Sequence, residues 1–146
     1  MGFEYRRLIV YQKVLQYREL AAPLLVRIKR VDADLHNQIK RNGNSIGSNL
    51  AEGASEDRPK VKADRYRVAK REAEEAAMNW ESAVASGYLT VRDIAPLLEL
   101  LDEISRMLAA LIRRFDPHGS PKRNDLNETT FPTPKPGRDP PLDSWE

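Results

Sequence analysis

Arg41-Asn42-Gly43-Asn44-Ser45-Ile46-Gly47-Ser48-Asn49-Leu50-Ala51-Glu52-Gly53-Ala54 is the stretch on which the reading of this chain turns. Its composition suits a loop. Gly43 and Gly47 each cost about 1 kcal/mol relative to Ala inside a helix. The Asn and Ser side chains compete for backbone groups and add to that. Its periodicity says the opposite. Leu35, Ile39, Asn42, Ile46 and Asn49/Leu50 recur at helical intervals, the pattern of one buried stripe. The segment therefore reads as a helix whose poor propensity is offset by packing. Gly43, Gly47 and Ala51 form a smooth stripe that admits a close neighbour, with Trp80 or Tyr66 to fill the groove. Ser45, Asn49 and Glu52 form a second stripe, placed to bond to Arg65 or Lys70 of the next helix, and Arg41 lies one turn before Ser45.

The same beat continues on both sides. Upstream, Val10, Val14, Tyr17, Ala21, Leu24 and Ile28 repeat at four and three. Pro23 lies inside that run and is expected to kink it. Downstream, Tyr66, Ala69, Ala73, Ala76, Trp80 and Ala83 make a third stripe, and Ile94, Leu97, Leu101, Ile104, Leu108, Leu111 and Phe115 a fourth. Punctuation falls between them. Asp32 or Asp34 can cap the second helix, and Asp57 with Pro59 can start the third. Gly87 can stop the third. Thr90 with Asp93 resembles a capping box, although Asp93 as the cap would place Pro96 in a first turn. No strand-type alternation competes. The sequence predicts an all-α, antiparallel up-down-up-down four-helix bundle over 1–115, with helices at about 6–30, 34–54, 58–87 and 92–115.

Seven of the ten prolines follow Phe115. Residues 116–146 read as a disordered, proline-rich tail, because too little apolar surface is present to offset ordering entropy. Its end, Leu142-Asp143-Ser144-Trp145-Glu146, is placed to recruit a partner. The bundle segment carries 20 Lys/Arg against 16 Asp/Glu, and the tail 4 against 6. The N-terminus lacks the apolar core of a signal peptide, and no stretch is long enough to span a membrane. A cytoplasmic location is expected by default.

The chemistry of an enzyme is hard to find. The chain has no cysteine and only two histidines. No Glu-x-x-His occurs, which argues against the di-iron sites that bundles hold, and zinc ligands are scarce. His36 suits an exposed first turn better than a general base. Gly43–Gly47 is not a phosphate loop, since no Gly-Lys-Ser/Thr follows. No catalytic residue, metal, cofactor or small-molecule substrate is expected.

Basic residues offer more. Lys60, Lys62, Arg65, Arg67, Lys70 and Arg71 crowd the start of the third helix. Arg27, Lys29, Arg30, Lys40 and Arg41 flank the first turn. Such a cluster, repeated in an oligomer, would hold RNA or DNA through phosphates. The competing reading is a module for protein–protein contact that recruits its partner through the tail.

The run Ser45-Ile46-Gly47-Ser48-Asn49-Leu50-Ala51-Glu52-Gly53, with Arg41 before it, resembles the signature of the 23S ribosomal RNA intervening-sequence protein family, also called the four helix bundle protein family. Leu8-Ile9-Val10-Tyr11-Gln12-Lys13 resembles the family's start. The resemblance spans about 4–115. It marks Arg41, Gly43, Ser45, Gly47, Asn49, Glu52 and Gly53 as structural signature positions. It implies a left-handed bundle that assembles into a pentamer-like ring without catalytic activity. Some relatives are encoded within ribosomal RNA gene insertions, and a distant one binds nucleic acid beside a reverse transcriptase. One departure stands out. Where the family has a small pair before a Glu, this chain has Lys70-Arg71-Glu72-Ala73-Glu74-Glu75. Charge replaces a smooth patch there.

Overall fold

The computed structural model describes residues 2–119. A short 3₁₀ helix, Glu4–Arg7, precedes four α-helices: α1 (Ile9–Val31), α2 (Ala33–Ser55), α3 (Pro59–Ala85) and α4 (Val91–Phe115). The first helix was expected from about residue 6. Instead Leu8 is extended and separates the 3₁₀ turn from α1. The Tyr5 ring stands edge-on to Tyr11 at 4.8 Å, which folds the leader back against α1.

Polar contacts fix the topology. Arg18 on α1 bonds Asn44 on α2, and Asn42 on α2 bonds Glu72 on α3. Ser105 on α4 reaches Glu74 on α3, while Lys13 and Arg27 on α1 pair with Glu103 and Asp93 on α4. Lys13–Glu103 and Arg27–Asp93, Asn42–Glu72 and Glu52–Arg65, and Glu74–Ser105 and Arg67–Asp116 each rise on one helix as they fall on the other, and α1 meets α2 at Arg18–Asn44 after a one-residue joint, so neighbours run antiparallel. The chain goes up, down, up and down, and α4 closes the square against α1.

The ends follow local chemistry. One residue, Asp32, joins α1 to α2. Its carboxylate accepts from the Leu35 N–H at 2.9 Å, so Asp32 is the cap and Asp34 is not. Asp57 does not cap α3 either. The N-cap is Arg58, without a side-chain cap bond. Glu56 takes the acidic role nearby, accepting from both the Arg58 backbone and its guanidinium, and that contact holds the Glu56 carboxyl down to about 2. Gly87, at φ +80°, ends α3. Its N–H reaches the Val84 carbonyl while the Tyr88 N–H reaches Ala83, a Schellman closure. Thr90 and Asp93 form the reciprocal capping box of α4, so Asp93 is not the cap and Pro96 lies past the first turn. Helix α1 stays one element through Pro23. The missing N–H there costs only the Glu19 carbonyl its usual donor.

The expected stripes form the core. Val10, Val14, Tyr17, Ala21 and Ile28 are buried, and Leu24 is half-buried. They meet Leu35, Ile39, Ile46 and Leu50 of α2, the alanines, Tyr66 and Trp80 of α3, and Ile94, Leu97, Leu101, Ile104 and Leu108 of α4. Trp80 crosses the square. Its indole N–H donates to the Tyr17 hydroxyl at 2.9 Å, joining α3 to the diagonally opposite α1. Burial pushes the Tyr17 phenol up to about 12, against the smaller opposing pull of the Trp80 bond.

The small-residue stripe is corrected by the packing. Gly43 and Gly47 do not face Trp80 or Tyr66. A Cβ on either would meet only the Arg18 guanidinium, at 3.8 and 4.0 Å. The close approach lies further along, at Gly53. A Cβ there would sit 2.6 Å from the Tyr66 ring. The smooth surface that lets α2 and α3 nest is supplied by Gly53 with Ala63, Ala69, Ala73 and Ala76 of α3, all fully buried.

Candidate functional site

The six basic residues at the start of α3 do not share one face, because two-residue and three-residue steps rotate them around the helix. Lys62 turns inward toward the end of α2. Its ammonium donates to the Gly53 and Ala54 carbonyls at 2.6 and 3.1 Å. The Gly53 carbonyl otherwise accepts only a long bond from the Glu56 cap N–H, at 3.3 Å, so Lys62 completes the negative end of α2. It also lies 5.9 and 5.3 Å from the Tyr66 and Phe115 ring centroids, within cation–π range. Arg65 faces α2 and pairs with Glu52 at 3.4 Å. Arg67 faces the end of α4. It bonds the Asp116 carboxylate at 2.7 Å and the Gly119 carbonyl at 3.2 Å, and also pairs with Asp64. Lys70 pairs with Glu74, one turn along α3. Only Lys60 and Arg71 point outward with no ion pair among the described residues.

Arg67 also engages the first residues of the expected tail. Residues 116–119 turn back and are held on α3 by that guanidinium. The remaining tail, 120–146, lies outside the described residues.

The signature positions divide by role. Glu52 bonds across to Arg65 as expected, while Lys70 does not take part. Ser45 and Asn49 turn to each other: the Asn49 amide donates to the Ser45 carbonyl and hydroxyl at 2.9 and 3.1 Å. Arg41 is exposed. Gly53 receives Tyr66, as described above. A buried polar centre also forms that the residue types did not single out. Asn42 sits on the core stripe, where its carbonyl accepts from the Asn79 amide at 2.8 Å and its own amide donates to Glu72 at 2.9 Å. Both asparagines are buried, and no buried side-chain N or O atom lacks a partner among the described residues. Glu72 belongs to the charged run Lys70-Arg71-Glu72-Ala73-Glu74-Glu75. One of those charges thus serves the interior by satisfying Asn42. A paired Asn on two facing core stripes was the signal available for this centre.

A second group of cations lies differently. Arg18, Lys29 and Lys40, with His36, line a groove of about 470 Å³ between α1 and α2. Its apolar wall is Ala21, Ala22, Leu25, Val26 and Ile39, and among the described residues no carboxylate lines it. Arg18 donates to the neutral Asn44 amide oxygen at 2.6 Å, which fixes the guanidinium over Gly43 and Gly47 without cancelling its charge. The glycines leave the guanidinium room to lie flat there. A second groove, between α1 and α4, has Leu20, Pro96 and Leu100 in its wall and Glu19, Glu99 and Glu103 at its rim. Helix α1 therefore separates a basic groove from an acidic one.

Among the described residues no three His, Asp or Glu side chains converge closely enough to hold a metal ion. No helix there is long and apolar enough to cross a membrane. A search of curated proteins and a search of solved structures each return no match to this chain. A family model does match, over residues 6–110, which takes in α1 to α3 and all but about the last turn and a half of α4. With that match spanning most of the bundle and its signature run, the chain belongs to the 23S rRNA-intervening sequence protein family.

Proposed function

We propose that this chain is a non-catalytic, self-associating scaffold that holds RNA or DNA phosphates in the basic groove between α1 and α2. The observation that carries the reading is the contrast between two sets of cations. Those of the α3 cluster are mostly engaged by Glu52, Asp64, Glu74, Asp116 and helix-end carbonyls. Arg18, Lys29 and Lys40 line a concave surface without a carboxylate. A polyanion displaces counterions there and meets no competing acid among the described residues. Lys60 and Arg71 remain as secondary contacts from the α3 cluster. Self-association supplies avidity, since one groove holding about three phosphates binds weakly at physiological salt. The apolar wall of the α1/α4 groove, with Leu20 and the outward-facing Ile9 of α1, is the surface we assign to contact between copies.

The test is RNA binding measured against salt. Three phosphate contacts per groove on single-stranded RNA give a slope of about −2 in log K against log salt. Lys29→Glu/Lys40→Glu should abolish binding with the bundle intact. If that pair leaves binding unchanged while Lys60→Glu/Arg71→Glu removes it, the site is on α3 instead. If no RNA or DNA binds at low salt, the reading fails. Lys62, Arg65 and Arg67 are poor choices for this test, because their removal damages the packing of α2, α3 and the 116–119 turn.

A further inference from the structure

We infer that the α1/α2 groove is an intramolecular docking site for the chain's own acidic segment at 139–146. The groove asks for a ligand with two properties. Its wall of Ala21, Ala22, Leu25, Val26 and Ile39 favours apolar side chains, and Val26 is 56% exposed with nothing over it among the described residues. Its rim of Arg18, Lys29, Lys40 and His36 favours carboxylates. The sequence Asp139-Pro140-Pro141-Leu142-Asp143-Ser144-Trp145-Glu146 has both. Leu142 and Trp145 are its apolar members, Asp139, Asp143 and Glu146 are its acids, and it contains no Lys or Arg. A groove of about 470 Å³ has the size of ordinary ligand sites. Burying an aromatic ring there would supply most of the hold, and the exposed charge pairs would set its direction.

The reach is sufficient. Arg67 fixes Gly119 at the end of the bundle where Gly53 packs on Tyr66. From Gly53 back to Lys40 is thirteen residues of helix, an axial distance of about 20 Å. Passing around one helix adds about 10 Å. Residues 120–138 provide nineteen residues before Asp139. Such a length spans about 60 Å when extended, and a random chain of that length averages about 24 Å. The segment is thus presented to its own groove at an effective concentration in the millimolar range. Weak contacts suffice at that concentration. The acidic α1/α4 groove repels the same segment, because Glu19, Glu99 and Glu103 line it.

Docking of this kind does not depend on the nucleic-acid reading. If both hold, the acidic segment occupies the place of phosphates and the two compete.

Zero-length carbodiimide coupling of the full chain, read by peptide mass spectrometry, tests the docking. Lys29 and Lys40 should couple to Asp139, Asp143 or Glu146 at least about fivefold more than Lys60 does, because docking raises the local concentration of those carboxylates at the groove. Lys60 is a strict comparator, since it is exposed and lies at the end of the bundle where the segment departs. In a mixture of light and nitrogen-15-labelled chains, the coupled pairs should carry one label. Leu142→Ser/Trp145→Ser should remove the preference and leave helix content unchanged, since both positions lie outside the four helices described. Coupling at Lys29 and Lys40 no greater than at Lys60 overturns the inference. So does a preference that survives the double substitution. Mixed light–heavy pairs making up about half of the total, as random pairing between chains in an equal mixture gives, also overturn it and assign the groove to a neighbour's tail.

Discussion

Substituting three glycines of α2 by alanine should change stability in opposite directions. Gly43, Gly47 and Gly53 share a helix and a signature run, so propensity alone makes each replacement favourable by up to about 1 kcal/mol. The neighbours decide otherwise at one of them. At Gly43 and Gly47 the new methyl meets the Arg18 guanidinium at 3.8 and 4.0 Å, which is ordinary contact. Both variants should gain about 0.5–1 kcal/mol. At Gly53 the methyl would lie 2.6 and 2.8 Å from two ring carbons of Tyr66. The ring is only 1% exposed and lies against Phe115, 6.3 Å between centroids, so it has little room to retreat. Overpacking of this kind costs about 1–3 kcal/mol. Gly53 also lies in the last turn of α2, where the propensity gain is small. Gly53→Ala should therefore lose about 1–2 kcal/mol net. Thermal unfolding followed by circular dichroism gives the readout, with shifts of about +2 to +5 °C for the first two and about −4 to −10 °C for the third. Adding Tyr66→Leu to Gly53→Ala should give a smaller loss than the sum of the two single changes, since the cramped ring is gone. Equal shifts at all three glycines, or strict additivity of the Gly53 and Tyr66 changes, would show that the contact between α2 and α3 is not where we place it.

Four further outcomes follow from the packing. Tyr17→Phe leaves the buried Trp80 N–H without its acceptor and should cost about 1–3 kcal/mol in urea unfolding. Below pH 10 the raised Tyr17 pKa has no effect. Between 10 and about 12 the unfolded phenol ionises while the folded one holds its proton, so stability should fall by up to about 2–3 kcal/mol, and Tyr17→Phe should flatten that decline. Asn42→Ala should cost about 1–3 kcal/mol by stranding the Asn79 amide, whereas Asn42→Leu/Asn79→Leu should be close to neutral; equal losses for both would argue against the buried pair. Ending the chain after Gly119 should lower melting only slightly, by what the docked segment adds, while ending it after Phe115 also removes the partners of Arg67 and should lower it further. Ending it after Gly119 should also strengthen RNA binding several-fold if tail and phosphates share the groove.

The helical stripes were legible in the sequence because each element keeps its period over many residues. Most of the core, from Val10 to Leu108, is where that period puts it. The caps were legible only as alternatives: at Thr90 and Asp93 the reciprocal side-chain bonds decide between two schemes, and at the start of α3 neighbouring acids compete. Asp57 and Glu56 are adjacent, and Arg58 chose between them. The candidate site was harder to read. A linear run such as Lys60 to Arg71 counts charge but not direction, and the helix turned four of its six members toward acids or carbonyls. The groove cations Arg18, Lys29 and Lys40 lie on two helices, and only the antiparallel pairing of α1 with α2 brings them together. Arg18 stood outside both basic groups for that reason. The Gly43/Gly47 pair misled in a similar way, since small residues signal room without naming what fills it.

The single residue between α1 and α2 has a consequence for the chain's alternatives. A hinge this short has no slack, and proteins with short hinges between helices are open to exchanging an arm with a second molecule. Were Asp32 to become helical, α1 and α2 would fuse into one rod from Ile9 to Ser55, and two chains would have to trade halves to bury their cores. Asp32 opposes this twice, through its cap on Leu35 and its bond from the Tyr88 hydroxyl at 3.1 Å. The carboxylate is therefore a guard against domain swapping, and its loss would be felt first as a doubling of molecular mass with helix content preserved.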